Sequence, residues 1–424
     1  MKRLKSYHLS YPLIVLSTIA YVYRMPLFGI NISVFRLIFL VWLGIFVIDV
    51  SLAKIRFRKG HVVLAALFFL ILMVNASDLI RMTNWELYGR DVANHLVNLG
   101  FAGIISVYAS TKEKVNYLIK TYIVCSIIAL AISCFVLYTG HLPFEAFLRE
   151  AKSIYMPNIT DYTIYYGSMI RLASSFYDPN FYGLYLCLVI IFIIYYKYYV
   201  KNGFYLDILL FLNIVALIFT LSRTAWVGLF VIFAVSVAKI PRFRTTGILV
   251  TLFIFALIVA AALFQTNSIE FDRNSFYSRI DDARSVVDRF HYIANGVSAF
   301  VRNPLFGVGS KGLVTDEIPI PSAHLVYLSL LAKYGVIGFA VYALFIFYPL
   351  FYVYRERRLE NAYRYLIVCI YSAILVMYLA YDFFAFLEFQ YLMFGMVYSI
   401  IINRIGVAGR LVPGVLQAHP AVAE

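Results

Sequence analysis

Apolar runs of helical length follow one another along this chain from end to end, separated by short polar links that are often basic. A bilayer core about 30 Å thick is crossed by roughly 20 apolar residues in helical form. Twelve stretches approach that length, over about 9–23, 32–53, 61–80, 92–110, 115–139, 181–200, 204–221, 224–240, 247–264, 336–354, 362–381 and 389–403. They lack the period-two alternation of barrel strands and therefore read as helices. The pattern predicts an all-α polytopic membrane protein with about 12 transmembrane helices. Composition agrees, since 63% of the 424 residues are hydrophobic and 14% charged, far from the balance of a soluble domain.

The charges that remain are sorted by position. Lys2, Arg3 and Lys5, then Lys54/Arg56/Arg58/Lys59, Lys112/Lys114, Lys197/Lys201, Lys239/Arg242/Arg244 and Arg355/Arg357/Arg358, fall before the first span and after every second one up to the tenth. Short loops rich in Lys and Arg stay cytoplasmic, so both termini are expected inside. The net charge of +14 is then a record of topology, and no nucleic-acid partner is expected. The first span with its basic flank resembles a signal peptide, but no small-residue cleavage site follows and it is read as a retained anchor. Cys125, Cys134, Cys187 and Cys369 all fall inside spans without CxxC spacing, which argues for packing and not for metal or disulfide roles.

Two segments on the outer side exceed a connector. One covers 140–180; the other covers 265–323. The expected organisation is therefore nine spans with an outer loop over 1–264, a large and partly helical outer loop over 265–323, an outer interfacial segment with the last three spans over 324–404, and a tail over 405–424. In the large loop, Phe276, Ile280, Ala283, Val286, Val287, Phe290, Ala294, Val297 and Val301 recur at helical spacing. Asn303-Pro304 stops that helix. On a 100° wheel Arg279 projects from the apolar stripe and Arg289 from its flank.

Arginines on the outer side run against the positive-inside bias, and this gives the candidate site. Arg223 stands in LSRTAWVG, at the outer end of a tight hairpin between the seventh and eighth spans. An interfacial arginine can simply snorkel, and Arg279 can pair with Asp282 on its own helix. Gathered with Arg289 in one cavity, however, these planar cations suit the oxygens of a pyrophosphate. His324 opens SAHLVYLSLLAKYG, and Gly335 precedes a nineteen-residue span. The stretch from His324 to Tyr334 is therefore expected as a short outer interfacial helix, which also keeps Lys333 out of a span. A histidine there can accept a proton near neutral pH. GVGSKG at Gly307–Gly312 matches GxGxxG, but it follows a helix stop and not a strand, so a turn is expected and not a dinucleotide site. Asp178-Pro179 reads as a helix N-cap with proline at the first position.

Four local patterns, RLASSFYDPNFYG (Arg171–Gly183), LSRTAWVG (Leu221–Gly228), DRFHYIANGVSAFVRNPLFGVGSKG (Asp288–Gly312) and AHLVYLSLLAKYGVIG (Ala323–Gly338), in that order and placement, resemble the O-antigen ligase and polymerase family of bacterial membrane glycosyltransferases. The resemblance implies a GT-C-like helical enzyme that takes a glycan from undecaprenyl pyrophosphate on the outer face of the plasma membrane. The acceptor it implies is a sugar hydroxyl of another glycan, as in a polymerase, or lipid A core, as in a ligase, or a protein, as in a protein O-oligosaccharyltransferase. Matched residue by residue, it implies Arg223, Arg289 and His324 as the catalytic set. Arg279 and Arg171 are further candidates for holding the pyrophosphate or glycan. This chain carries Leu325 where family members often have Asn or Ser after the histidine. No cofactor and no metal are expected; the partners implied are the lipid-linked glycan, its acceptor, membrane lipids and envelope polysaccharide assembly proteins. A transporter or flippase of lipid-linked sugars is the rival class. Charges near mid-membrane and repeat symmetry would mark it, whereas here the charges gather in the outer loops.

Overall fold

The computed structural model describes residues 7–20, 24–27, 30–55, 57–80, 85–139, 165–166, 169–170, 172–176, 178–243, 283–310, 313, 323, 325–379 and 388–407. Arg171, Arg279, His324, the ninth expected span and the tail beyond 407 lie outside them. So do the greater part of the 140–180 loop and the pair Asp316/Glu317, near His324, that offers alternative bases.

The described residues form a helical bundle. Its elements are α1 (Tyr7–Ile19), α2 (Val34–Ser51), α3 (Lys59–Ile80), α4 (Trp85–Tyr108), α5 (Lys112–Thr139), α6 (Pro179–Tyr195), α7 (Phe204–Phe219), α8 (Arg223–Lys239), α9 (Ala283–Arg302), α10 (Val326–Arg355), α11 (Asn361–Met377) and α12 (Glu388–Asn403). The apolar runs of the sequence correspond to all of these except α9, which is the amphipathic helix of the large loop. Two short antiparallel hairpins are added that the apolar pattern does not contain, β1 (Arg24–Leu27) with β2 (Ile30–Ser33) and β3 (Tyr165–Tyr166) with β4 (Met169–Ile170). Five helical stretches, Val34–Ser51, Lys59–Ser77, Lys112–Val136, Pro179–Val200 and Val326–Arg355, are long and apolar enough to cross a membrane by length and composition.

Burial sorts the helices into a centre and a rim. In α6 every residue from Tyr182 to Tyr195 is buried, as is Phe389–Ile401 of α12. By contrast α2 exposes Leu40, Val41, Ile45, Val47 and Ile48. Between helices in lipid the hydrophobic effect contributes little, and close approach of small residues takes its place. Gly395 of α12 shows this: a Cβ there would meet the Ala102 carbonyl of α4 at 2.6 Å. Phe345 stacks on Tyr398 at 5.4 Å and meets Phe394 edge-on at 5.0 Å, joining α10 to α12.

One end of the bundle collects the basic links. There Arg58 donates to the Asn403 carbonyl, His61 meets the Ser106 carbonyl, Lys112 pairs with Glu360 at 2.9 Å, and Leu359 bridges to Val407. The described parts of the four sequence patterns are not there; they meet at the opposite end.

Candidate functional site

The α7–α8 hairpin is turned by Leu221, which adopts φ 51°. A leucine in the left-handed region carries a strain of about 1–3 kcal/mol that surrounding structure must impose. Ser222 then caps α8, accepting from the Ala225 N–H at 3.3 Å, and Arg223 is the first residue of the helix. Ser222→Ala is expected to destabilise the folded protein by about 1 kcal/mol, read as a lower melting temperature in detergent. An unchanged melting curve would remove the cap from the account.

The first sequence pattern folds onto this hairpin. Leu172, next in the chain to Arg171, donates its N–H to the Phe219 carbonyl at 3.0 Å. Ser174, also left-handed at φ 49°, donates its hydroxyl to the Ala129 carbonyl, and Ser175 donates to Ile19. Asp178 is the N-cap of α6, accepting from Asn180, with Pro179 at the first position, as its sequence implies. Gly183 lies so close to α8 that a Cβ would sit 2.6 Å from Ala225. Gly183→Leu is therefore expected to push α6 and α8 apart and to abolish a monodisperse folded preparation; normal elution and melting would contradict that packing.

The second and fourth patterns meet through the end of α11. A Cβ on Gly228, in α8, would sit 3.1 Å from the Met377 sulfur of α11. The next residue, Tyr378, accepts from the Val326 N–H at 3.1 Å, and Tyr327 donates its hydroxyl to Leu375 at 2.9 Å. Val326 opens α10, two residues after His324. The chain on either side of His324 is thus fixed, because Ala323 is buried and donates its N–H to the Ser329 hydroxyl at 2.9 Å.

The third pattern locks onto the fourth. Gly296 of α9 packs on Ala323, with a Cβ position 2.6 Å from the Ala323 Cβ. Past the Asn303-Pro304 stop, the turn Pro304–Gly309 fits into a break in α10 at Gly335 (φ 64°, ψ −170°). The break divides α10 into Val326–Tyr334 and Val336–Arg355, the short segment and span expected from the sequence. It also interrupts the backbone ladder, and a buried group left unpaired costs about 1–3 kcal/mol. The turn supplies partners: Val308 and Gly309 donate to the Ala332 and Lys333 carbonyls, and Val336 and Ile337 donate to Pro304 and Leu305. The glycines of GVGSKG that are described shape this turn. Ser310, directly after it, is buried at 4% exposure.

All four patterns are therefore joined at one end. Arg223 is exposed and stands above Val227 and Phe230, which are 50% and 63% exposed along the same face of α8. Arg289 is also exposed. It lies two turns before Gly296 on the face that packs on Ala323, and beside the exposed Phe290 of α9. Arg223 thus borders an exposed apolar stripe, where the headgroup of a lipid whose chain follows the stripe would fall, and Arg289 adjoins the stripe of α9 through its neighbour Phe290. Sequence reasoning missed Trp226, whose indole N–H is buried without an acceptor among the described residues, one turn after Arg223. Nothing in LSRTAWVG distinguishes such a donor from a packed tryptophan.

No curated protein matches the chain. The sequence model of the O-antigen ligase family matches residues 208–343, about a third of the chain, spanning Arg223, Arg279, Arg289 and His324 while leaving RLASSFYDPNFYG outside. That match, together with the helices long and apolar enough to cross a membrane, supports an O-antigen ligase or polymerase type of activity in a bacterial membrane. Over residues 208–343 the chain is similar to the O-antigen ligase family, and that match supports the resemblance to the O-antigen ligases and polymerases.

Proposed function

We propose that the protein is a polysaccharide polymerase that transfers a glycan from undecaprenyl pyrophosphate to an acceptor sugar hydroxyl on the outer face of the plasma membrane. The observation that carries this reading is the pair of exposed arginines, Arg223 and Arg289, each near exposed apolar residues (Val227 and Phe230 for the first, Phe290 for the second) at the end of the bundle where the family patterns meet. Pyrophosphate is already a competent leaving group, so its departure needs charge stabilisation more than protonation, and preorganised cations supply that. The acceptor oxygen attacks the anomeric carbon from the face opposite the pyrophosphate. The glycosyl C–O bond breaks, the electron pair leaves on the pyrophosphate, and His324 takes the hydroxyl proton. The product is inverted. Arg279 and Arg171 hold the pyrophosphate or glycan. In this scheme the arginines carry the role a metal would otherwise have, and the bundle is a GT-C-like scaffold of about 12 spans.

Topology fits the same scheme. The basic links at the opposite end are cytoplasmic by the positive-inside rule, as are both termini, which leaves the arginine end outside. Ser298, exposed on α9, is the reporter in place of the buried Ser310. Ser298→Cys is expected to react with a membrane-impermeant maleimide on intact spheroplasts, and protection until lysis would invert the topology.

A ligase reading is favoured by the description of the matching family, O-antigen ligase; the acceptor would then be lipid A core or a protein. Products separate the two: incubation with donor should give a ladder built on the carrier, and a single adduct on supplied core lipid would establish a ligase instead.

A further inference from the structure

Helix α9 has three faces. Tyr292, Gly296 and Ala299 form the face turned to the protein, with Gly296 against Ala323 and Leu328. His291, Ser298 and Arg302 form an exposed polar face. Between them runs an apolar stripe of Phe290, Ala294, Val297 and Val301 that the described protein leaves uncovered, with Phe290 67%, Val297 47% and Val301 69% exposed. An uncovered stripe of this kind does not by itself say what lies on it. Its continuation does.

Leu305 and Phe306 prolong the stripe at 58% and 56% exposure. The Leu305 carbonyl accepts from Ile337 at 3.3 Å and Pro304 from Val336 at 2.9 Å, so the apolar surface passes without interruption onto α10. There it continues through Val336, Ile337, Leu344, Phe347 and Phe351, all exposed, on a helix long and apolar enough to cross a membrane. Exposed apolar residues on such a helix face acyl chains. We propose that α9 is an interfacial helix seated on the outer leaflet, its apolar stripe resting on lipid acyl chains as an extension of the lipid-facing wall of α10. A helix with separate apolar and basic polar faces lies in the plane of the interface in this way, its apolar side sunk about 5–10 Å below the headgroups. The rigid turn at Gly335 fixes the angle between α9 and the spanning half of α10. Arg289, next in the chain to Phe290 and on the side of α9 that carries Gly296, is thereby held near the depth of lipid phosphates; its use there on a carrier pyrophosphate rests on the proposed transfer reaction, whereas the seating does not.

The test uses the full-length protein in phosphatidylethanolamine/phosphatidylglycerol nanodiscs. Benzoylphenylalanine is placed singly at Val297, Val301 and Phe306, with Phe351 as the lipid-facing reference and Ser298 as the polar-face reference, and adducts are identified by mass spectrometry after irradiation. All are exposed positions, so the substitutions leave the packed face of α9 intact. Lipid adducts at the three stripe positions are expected at the level of Phe351 and several-fold above Ser298. Stripe positions that crosslink to protein, whether a second copy or another segment of this chain, or that match Ser298, would overturn the proposal. The readout involves no transfer, so its failure would leave the proposed reaction standing, and loss of activity would leave the seating untouched.

Discussion

Arg289→Ala is expected to reduce glycan transfer by at least about 100-fold while leaving the protein folded in detergent, the scale on which removal of one preorganised stabilising donor acts. The side chain is exposed, and the packing of α9 rests on Gly296 and Ala299 instead, so the fold does not depend on it. Arg223→Ala and His324→Ala are expected to give losses of the same order. Arg289→Lys distinguishes a bidentate clasp from a mere positive charge: a point charge cannot reproduce the planar fork on phosphate oxygens, and the lysine variant should remain impaired. Transfer rates are to be compared on protein matched for elution volume and melting temperature. Wild-type transfer by all three alanine variants would remove the site assignment.

Gly335→Ala should produce a large loss of stability. Its φ of 64° with ψ of −170° falls in a region open essentially to glycine alone. An added Cβ would also lie 2.3 Å from the Leu305 carbonyl, so backbone must move. Gly307 faces the same contact from the other side, its Cβ position 2.3 Å from the Lys333 carbonyl. Strain and overpacking together are expected to cost on the order of 3 kcal/mol, read as a much lower melting temperature or as aggregation on extraction. Because the turn also joins α9 to α10, any Gly335→Ala protein that survives should lose transfer. A variant with native melting and native transfer would show that the interlocked turn is not what holds α9 in place.

Much of this architecture is legible in the sequence because burial in lipid demands long apolar runs, which leave little ambiguity about where helices are. The boundary at Gly335, the stop at Asn303-Pro304 and the Asp178-Pro179 cap were readable for a similar reason, since glycine, proline and aspartate act on their own local backbone. What the sequence does not show is what those elements touch. Periodicity finds the apolar stripe of α9 but carries no sign that Gly296 and Ala299, on another face, make the protein contact. The interlock of Pro304–Gly309 with the break in α10 depends on backbone groups that every residue possesses. The left-handed turns at Ser174 and Leu221 are invisible for the opposite reason: neither residue favours that conformation, and tertiary contacts impose it. Arg223 and Arg289 stood out through charge placement against the positive-inside bias; Trp226, with no charge, did not.

The central claim is that the arginine end of the bundle drives departure of a carrier pyrophosphate. Its most direct test is to supply the purified protein with an undecaprenyl pyrophosphate oligosaccharide in the presence of EDTA and to measure released undecaprenyl pyrophosphate against glycosidic bonds formed. The account predicts one carrier released for each bond, undiminished by the chelator and lost in Arg289→Ala. Folded, carrier-binding protein that forms no bond and releases no carrier, yet moves the intact lipid-linked glycan across a bilayer, would contradict it and identify a transporter.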